Sequence, residues 1–106
     1  MREMTFQQLW SELRLRLTPR PRLYAWSASG GASTHFGIRN VTDHGITVVT
    51  SSGTTRLVLR NDFEAIFLLW EGYVRQQIQR QALRGVSDNS TYVLGILHWL
   101  EIQSRA

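Results

Sequence analysis

Arg80, Arg84, Asn89, Ser90 and Thr91 stand close together in the chain and carry side chains suited to gripping an anionic polymer. A guanidinium takes a phosphate or a guanine edge through two parallel hydrogen bonds, and an asparagine amide matches an adenine edge or a phosphate. The run Ser87-Asp88-Asn89-Ser90-Thr91 is also dense in residues that accept hydrogen bonds from the unpaired N–H groups of a first helical turn. A helix opened in this way leaves amide donors and short polar side chains pointing outward, as at a phosphate or a DNA groove. Capping alone accounts for the same residues, with Arg80 and Arg84 paired to nearby acids. A second set, Arg39, Arg56 and Arg60 with Thr47 and Thr55, falls on or beside segments of alternating polarity. If these share the solvent face, they make a basic sheet surface able to track a nucleic-acid backbone. Tyr92 and Trp99 extend the last apolar segment to a second side and are the candidates for a partner interface.

Other chemistries find little support. His35, His44 and His98 lie far apart with no ligand-like spacing, so no metal site is expected. Asp62, Glu64 and Glu71 share one helical segment, and the first two are explained by the favourable N-terminal end of its dipole. No Ser/His/Asp order or paired-acid constellation stands out, so the expectation is a protein that is not an enzyme and takes no cofactor. All twelve basic residues are Arg, without a single Lys. That excludes the Walker-type phosphate loop, Schiff-base chemistry and lysine-dependent nuclease constellations. There is no Cys, hence no disulfide framework and no thiolate metal site. Asn89-Ser90-Thr91 matches a glycosylation sequon, which has no meaning without a secretory route.

At 106 residues the chain is expected to be one domain with one core. A 42% hydrophobic content with four Trp favours an ordered core over disorder. The early apolar residues are interrupted by Glu3, Gln7, Gln8 and Glu12, unlike a signal peptide, and no run approaches the ~20 apolar residues of a membrane span. The expected location is therefore cytoplasmic, with no membrane partner. The net charge of +4 is uneven: residues 1–22 carry +3, residues 23–60 carry +2 and residues 61–106 carry −1. The basic surface thus belongs mainly to the N-terminal half. The arginines at 14, 16, 20 and 22 make either a basic arm or a solvated helix end with a linker.

The elements that must position these groups follow from periodicity. Phe6, Leu9, Trp10, Leu13 and Leu17 recur at helical spacing, Thr5 with Gln8 fits a capping box, and Thr18-Pro19-Arg20-Pro21 ends the helix (1–17). Residues 23–60 read as an antiparallel sheet. A short strand over 23–28 is followed by the small-residue stretch 27–34. Three alternating segments come next, joined by Asp43-His44-Gly45 and Ser51-Ser52-Gly53. Leu57 and Leu59 share one face of the last strand. Residues 61–103 read as helical. Asn61 with Glu64 forms a second capping box opening the longest helix, whose stripe is Phe63, Ile66, Phe67, Trp70, Tyr73, Val74 and Ile78. A final helix runs from about Asp88 to Gln103. The class is α+β: an N-terminal helix, a three- to four-stranded antiparallel meander, then two or three C-terminal helices, in a winged-helix-like arrangement.

Trp70 with Tyr73, then Ile78, Arg80 and Leu83, then Asn89, Ser90, Tyr92, Val93, Ile96 and Leu97 form a pattern spanning residues 36 to 100 with the strands before it. It resembles small bacterial helix-turn-helix or winged-helix-like accessory domains associated with restriction and defence systems. The resemblance implies a DNA-associated accessory domain, here without an attached nuclease. Two expectations follow. One is a nucleic-acid-binding module, with double-stranded DNA the expected target, using arginines and the polar start of the last helix. The other is a protein-interaction or dimerisation module in a bacterial or phage defence or counter-defence setting, motivated by the aromatic excess.

Overall fold

The computed structural model describes residues 4–26 and 34–105. Most of the small-residue stretch expected between the first two strands, residues 27–33, lies outside them. The order of elements is α1 (Phe6–Arg16), β1 (Arg22–Tyr24), β2 (His35–Val41), β3 (Gly45–Thr50), β4 (Thr55–Leu59), α2 (Arg60–Phe67), α3 (Trp70–Val74), α4 (Arg80–Val86) and α5 (Ser90–Arg105). This is the expected α+β layout. The four strands form one antiparallel sheet in the order β1-β2-β3-β4.

Helix α1 starts where the capping box placed it. Thr5 Oγ1 accepts the Gln8 N–H, and Gln8 Oε1 accepts the Thr5 N–H at 2.9 Å. Its stripe of Leu9, Trp10, Leu13 and Leu17 is buried in a single core with Leu23, Phe36, Ile38, Ile46, Val48 and Val58 of the sheet. Phe63 and Ile66 of α2, Trp70 and Tyr73 of α3, Leu83 of α4, and Val93, Leu94, Ile96, Leu97 and Leu100 of α5 complete it. Helix α5 is thus buried from Val93 to Leu97 and again at Leu100, while Thr91, Ile102 and Gln103 are exposed and Tyr92, His98 and Trp99 are half-buried.

Two expectations needed correction, and a third is made specific. The second capping box does not form at Asn61. Strand β4 runs straight into α2, the Arg60 N–H donates to the His44 carbonyl at 2.9 Å, and Asp62 accepts the Leu59 N–H at 3.0 Å. The longest helix is α5, because the stripe from Phe63 to Ile78 is divided among α2, α3 and a fold-back. After α3 the chain turns at Gln76, whose φ is 60°, and the N–H groups of Gln77 and Ile78 both donate to the Gly72 carbonyl. A Cβ on Gly72 would lie 2.6 Å from Ile78 Cδ1, so glycine is what lets Ile78 close onto the helix. Finally, Leu57 and Leu59 do share a face, but it is the solvent face. Ile46 pairs with Val58, which is fully buried, and this register leaves Leu57 55% exposed.

Candidate nucleic-acid interface

At the α4–α5 junction, Arg80 is held by hydroxyl groups. Its guanidinium donates to Ser90 Oγ at 2.7 Å and Thr91 Oγ1 at 2.8 Å, tying the start of α4 to the first turn of α5. Burial lowers the Arg80 pKa, with Tyr73 opposing and Arg84 assisting. Both hydroxyls are neutral, so the positive charge of Arg80 is retained beside exposed Arg84. Ser87 Oγ accepts the Asn89 N–H at 3.0 Å, and Asn89 Nδ2 donates to the Leu57 carbonyl at 3.3 Å, which fastens the junction to the edge strand β4. Asn89 and Ser90 are therefore engaged within the chain, Ser90 being only 2% exposed, while Arg84 and Thr91 face solvent.

The sheet arginines do not share one face. Arg56 pairs in register with Val48, whose side chain is in the core, and its guanidinium lies 5.7 Å from the Tyr92 ring centre. Arg60 sits over Phe6 and Trp10 at 5.6 and 5.7 Å. Both are cation–π contacts on the helical side of the sheet. Of these three, only Arg39, at the irregularity in β2 between Ile38 and Asn40, is both exposed and unattached. Tyr92 packs edge-on to Phe36 at 5.3 Å and under Arg56, so it is not brought together with Trp99 at one surface.

The remaining arginines divide cleanly. Arg14 pairs with Asp43, Arg16 with Glu12 at 2.8 Å and Arg75 with Glu71 at 3.2 Å. The side chains of Arg20, Arg22, Arg39 and Arg84 have no hydrogen-bond, ion-pair or ring partner among the described residues. Arg22 pairs in register with Gly37, two residues from Arg39, so these two cations occupy one corner of the sheet, with Arg20 just before it.

The sheet's outer face completes the setting. Leu23 and Phe36 point into the core, so their alternating neighbours Arg22, Tyr24, His35 and Gly37 point away from it, with Val49 and Thr55 continuing the row. No described helix covers this side. Tyr24 is 56% exposed and stands edge-on to His35 at 6.5 Å. The described carboxylates lie on helices, at Asp88 before α5, or at Asp43, where Arg14 takes it. The open face thus bears cations, hydroxyls, an imidazole and a phenol ring, with the exposed Leu57 and Leu59 toward the β4 edge, and no carboxylate among the described residues.

Around the β1 edge this face meets an apolar groove of about 420 Å³ lined by Tyr24, Trp26, Gly95, His98, Trp99 and Ile102. Trp26 stacks on His98 with ring centres 4.1 Å apart and planes 6° from parallel, and also touches Trp70 and Tyr73. The Trp70 indole donates to Glu101 at 3.2 Å. Gly95 permits this geometry: a Cβ there would lie 2.7 Å from the Tyr24 carbonyl oxygen and 3.0 Å from the Phe36 ring. Trp99 takes part as expected. Tyr24, Trp26, His35 and His98 were not singled out by the sequence as site residues. The alternation Arg22-Leu23-Tyr24 was the available signal, but a strand of three residues gives it little weight.

No group of three or more His, Cys, Asp or Glu among the described residues is placed to hold a metal ion, and no described helix is long and apolar enough to cross a membrane. The chain matches no family model, no curated protein and no solved structure.

Proposed function

We propose that the chain is a small, non-catalytic nucleic-acid-binding module that places the phosphate backbone on the open face of the sheet. The observation that carries this reading is the contrast among the arginines. Those on the helical side, Arg84 apart, are held by carboxylates, hydroxyls or rings, whereas Arg22 and Arg39, with Arg20 just before them, stand unpartnered at one corner of a sheet face without described carboxylates. The α4–α5 junction, fastened to β4 through Asn89, borders the opposite edge with Arg80 and Arg84. The two basic borders are separated by the width of the sheet, about 14 Å for four strands. A backbone crossing the strands meets Thr47 and Thr55 between them. Body residues of α5 are in the core, so a mode in which that helix lies along the major groove has only its first turn to offer.

The test is equilibrium binding to a labelled single strand and to its duplex as salt is raised from about 50 to 200 mM, where electrostatic binding weakens steeply. Affinity without salt dependence, or no affinity at the lowest salt, refutes the reading. A second reading, a protein-interaction or dimerisation module, is favoured by the apolar groove beside Tyr24, where Ile102 is 49% exposed. It predicts self-association that rises with concentration and is lost in Ile102→Glu.

A further inference from the structure

We infer that the groove between β1 and α5 receives an unpaired base, which makes single-stranded nucleic acid the preferred ligand; this rests on the proposed nucleic-acid reading. The groove is lined by flat rings, Tyr24, Trp99 and the Trp26–His98 stack, and none of its lining residues is acidic. Glu101 lies beyond it, at a smaller adjoining hollow, accepting the Trp70 indole N–H. Tyr24 belongs to both the groove and the open face. Arg22 is two residues away on the same strand face, a distance of about 7 Å along β1, and Arg39 follows two residues beyond Gly37, the partner of Arg22 in β2.

An apolar site with an unpartnered cation on the same strand face, and with its neighbouring carboxylate Glu101 engaged by the Trp70 indole, is complementary to a ligand combining a planar ring with an adjacent anion. An unpaired nucleotide has that form. A duplex hides its base faces, and an apolar peptide leaves the arginines unused. Base stacking on aromatic side chains is tolerant of sequence, because every base has a π-face.

The experiment compares three ligands of equal length: an oligothymidylate, a strand with the same phosphates but abasic throughout, and a duplex. The expected result is oligothymidylate affinity about 5- to 150-fold above that of the abasic strand, the contribution of one stacked base. Trp26 and Trp99 fluorescence should be quenched on binding. Tyr24→Ala, at an exposed ring, should remove most of that ratio while leaving the salt slope unchanged, and Tyr24→Phe should keep it. Equal affinity for the thymidylate and abasic strands overturns this inference while the phosphate reading stands, as does tighter binding of the duplex. A ratio unmoved by Tyr24→Ala also overturns it. Binding to none of the three removes the nucleic-acid reading itself. A dimer dissociated by Ile102→Glu, with no nucleic-acid binding, would assign the groove to a second copy of the chain.

Discussion

The charge at the β1–β2 corner gives a prediction with a calculable size. Arg22 and Arg39 are exposed and their side chains have no hydrogen-bond, ion-pair or ring partner among the described residues, so Arg22→Ala and Arg39→Ala together should leave folding intact. Each phosphate neutralised on a single strand contributes about −0.7 to the slope of log affinity against log salt. Four unpartnered arginines, Arg20, Arg22, Arg39 and Arg84, therefore give a slope of about −3, and removing two leaves about −1.4. Between about 50 and 200 mM salt the wild-type affinity should fall about 50-fold and that of the double variant about 7-fold. At about 0.1 M salt the counterion contribution of two contacts is about 25-fold in affinity. Fluorescence anisotropy with a labelled oligothymidylate measures all of these, and thermal unfolding confirms that the variant is folded. An unchanged slope with a folded variant refutes the reasoning. If the slope then falls instead in Arg80→Ala with Arg84→Ala, the contact belongs to the α4–α5 junction.

Three further predictions concern the frame that holds the surface. Gly95→Ala should cost about 1–3 kcal/mol in urea unfolding, because the new Cβ meets the Tyr24 backbone and cannot be relieved by a side-chain rotation; a wild-type midpoint would contradict the close α5–β1 approach. Arg80→Ala should cost about 1–3 kcal/mol by leaving the Ser90 hydroxyl buried without its donor. Arg80→Lys should recover only part, since one ammonium replaces a fork reaching two hydroxyls; full recovery would contradict the bridging role. The register of β4 predicts that Val58→Ala loses about 2 kcal/mol, whereas Leu57→Ser stays within about 0.5 kcal/mol. The reverse order would place the wrong face of the strand in the core.

What the sequence revealed follows from how local each cause is. The Thr5–Gln8 box and the stripe from Phe6 to Leu17 act within one helix, and both were legible. The turn residues Asp43-His44-Gly45 and Ser51-Ser52-Gly53 likewise announced the meander. The division of the Phe63–Ile78 stripe was not legible, because apolar periodicity carries straight through both the break at Leu68–Leu69 and the fold-back of Ile78 onto Gly72. Leu57 and Leu59 show the limit of alternation: it identifies two faces, but only the pairing of Ile46 with Val58 decides which one is buried. The arginines illustrate the same limit at the candidate site. Arg56 and Arg60 look like Arg39 in sequence, yet Tyr92, Phe6 and Trp10, all remote in the chain, draw them to the helical side. Arg22, Tyr24 and His35 gain significance only because β1 pairs with β2 across a gap in sequence.

The most direct measurement is a titration of isotope-labelled protein with oligothymidylate, following backbone amide shifts. The account predicts saturable shifts across Arg22–Tyr24, His35–Arg39 and Thr55–Leu57, with Gly95 and Trp99 moving together and the α1 amides remaining still. Shifts confined to Arg80, Arg84, Ser90 and Thr91, or a spectrum unchanged at saturating strand, would contradict it.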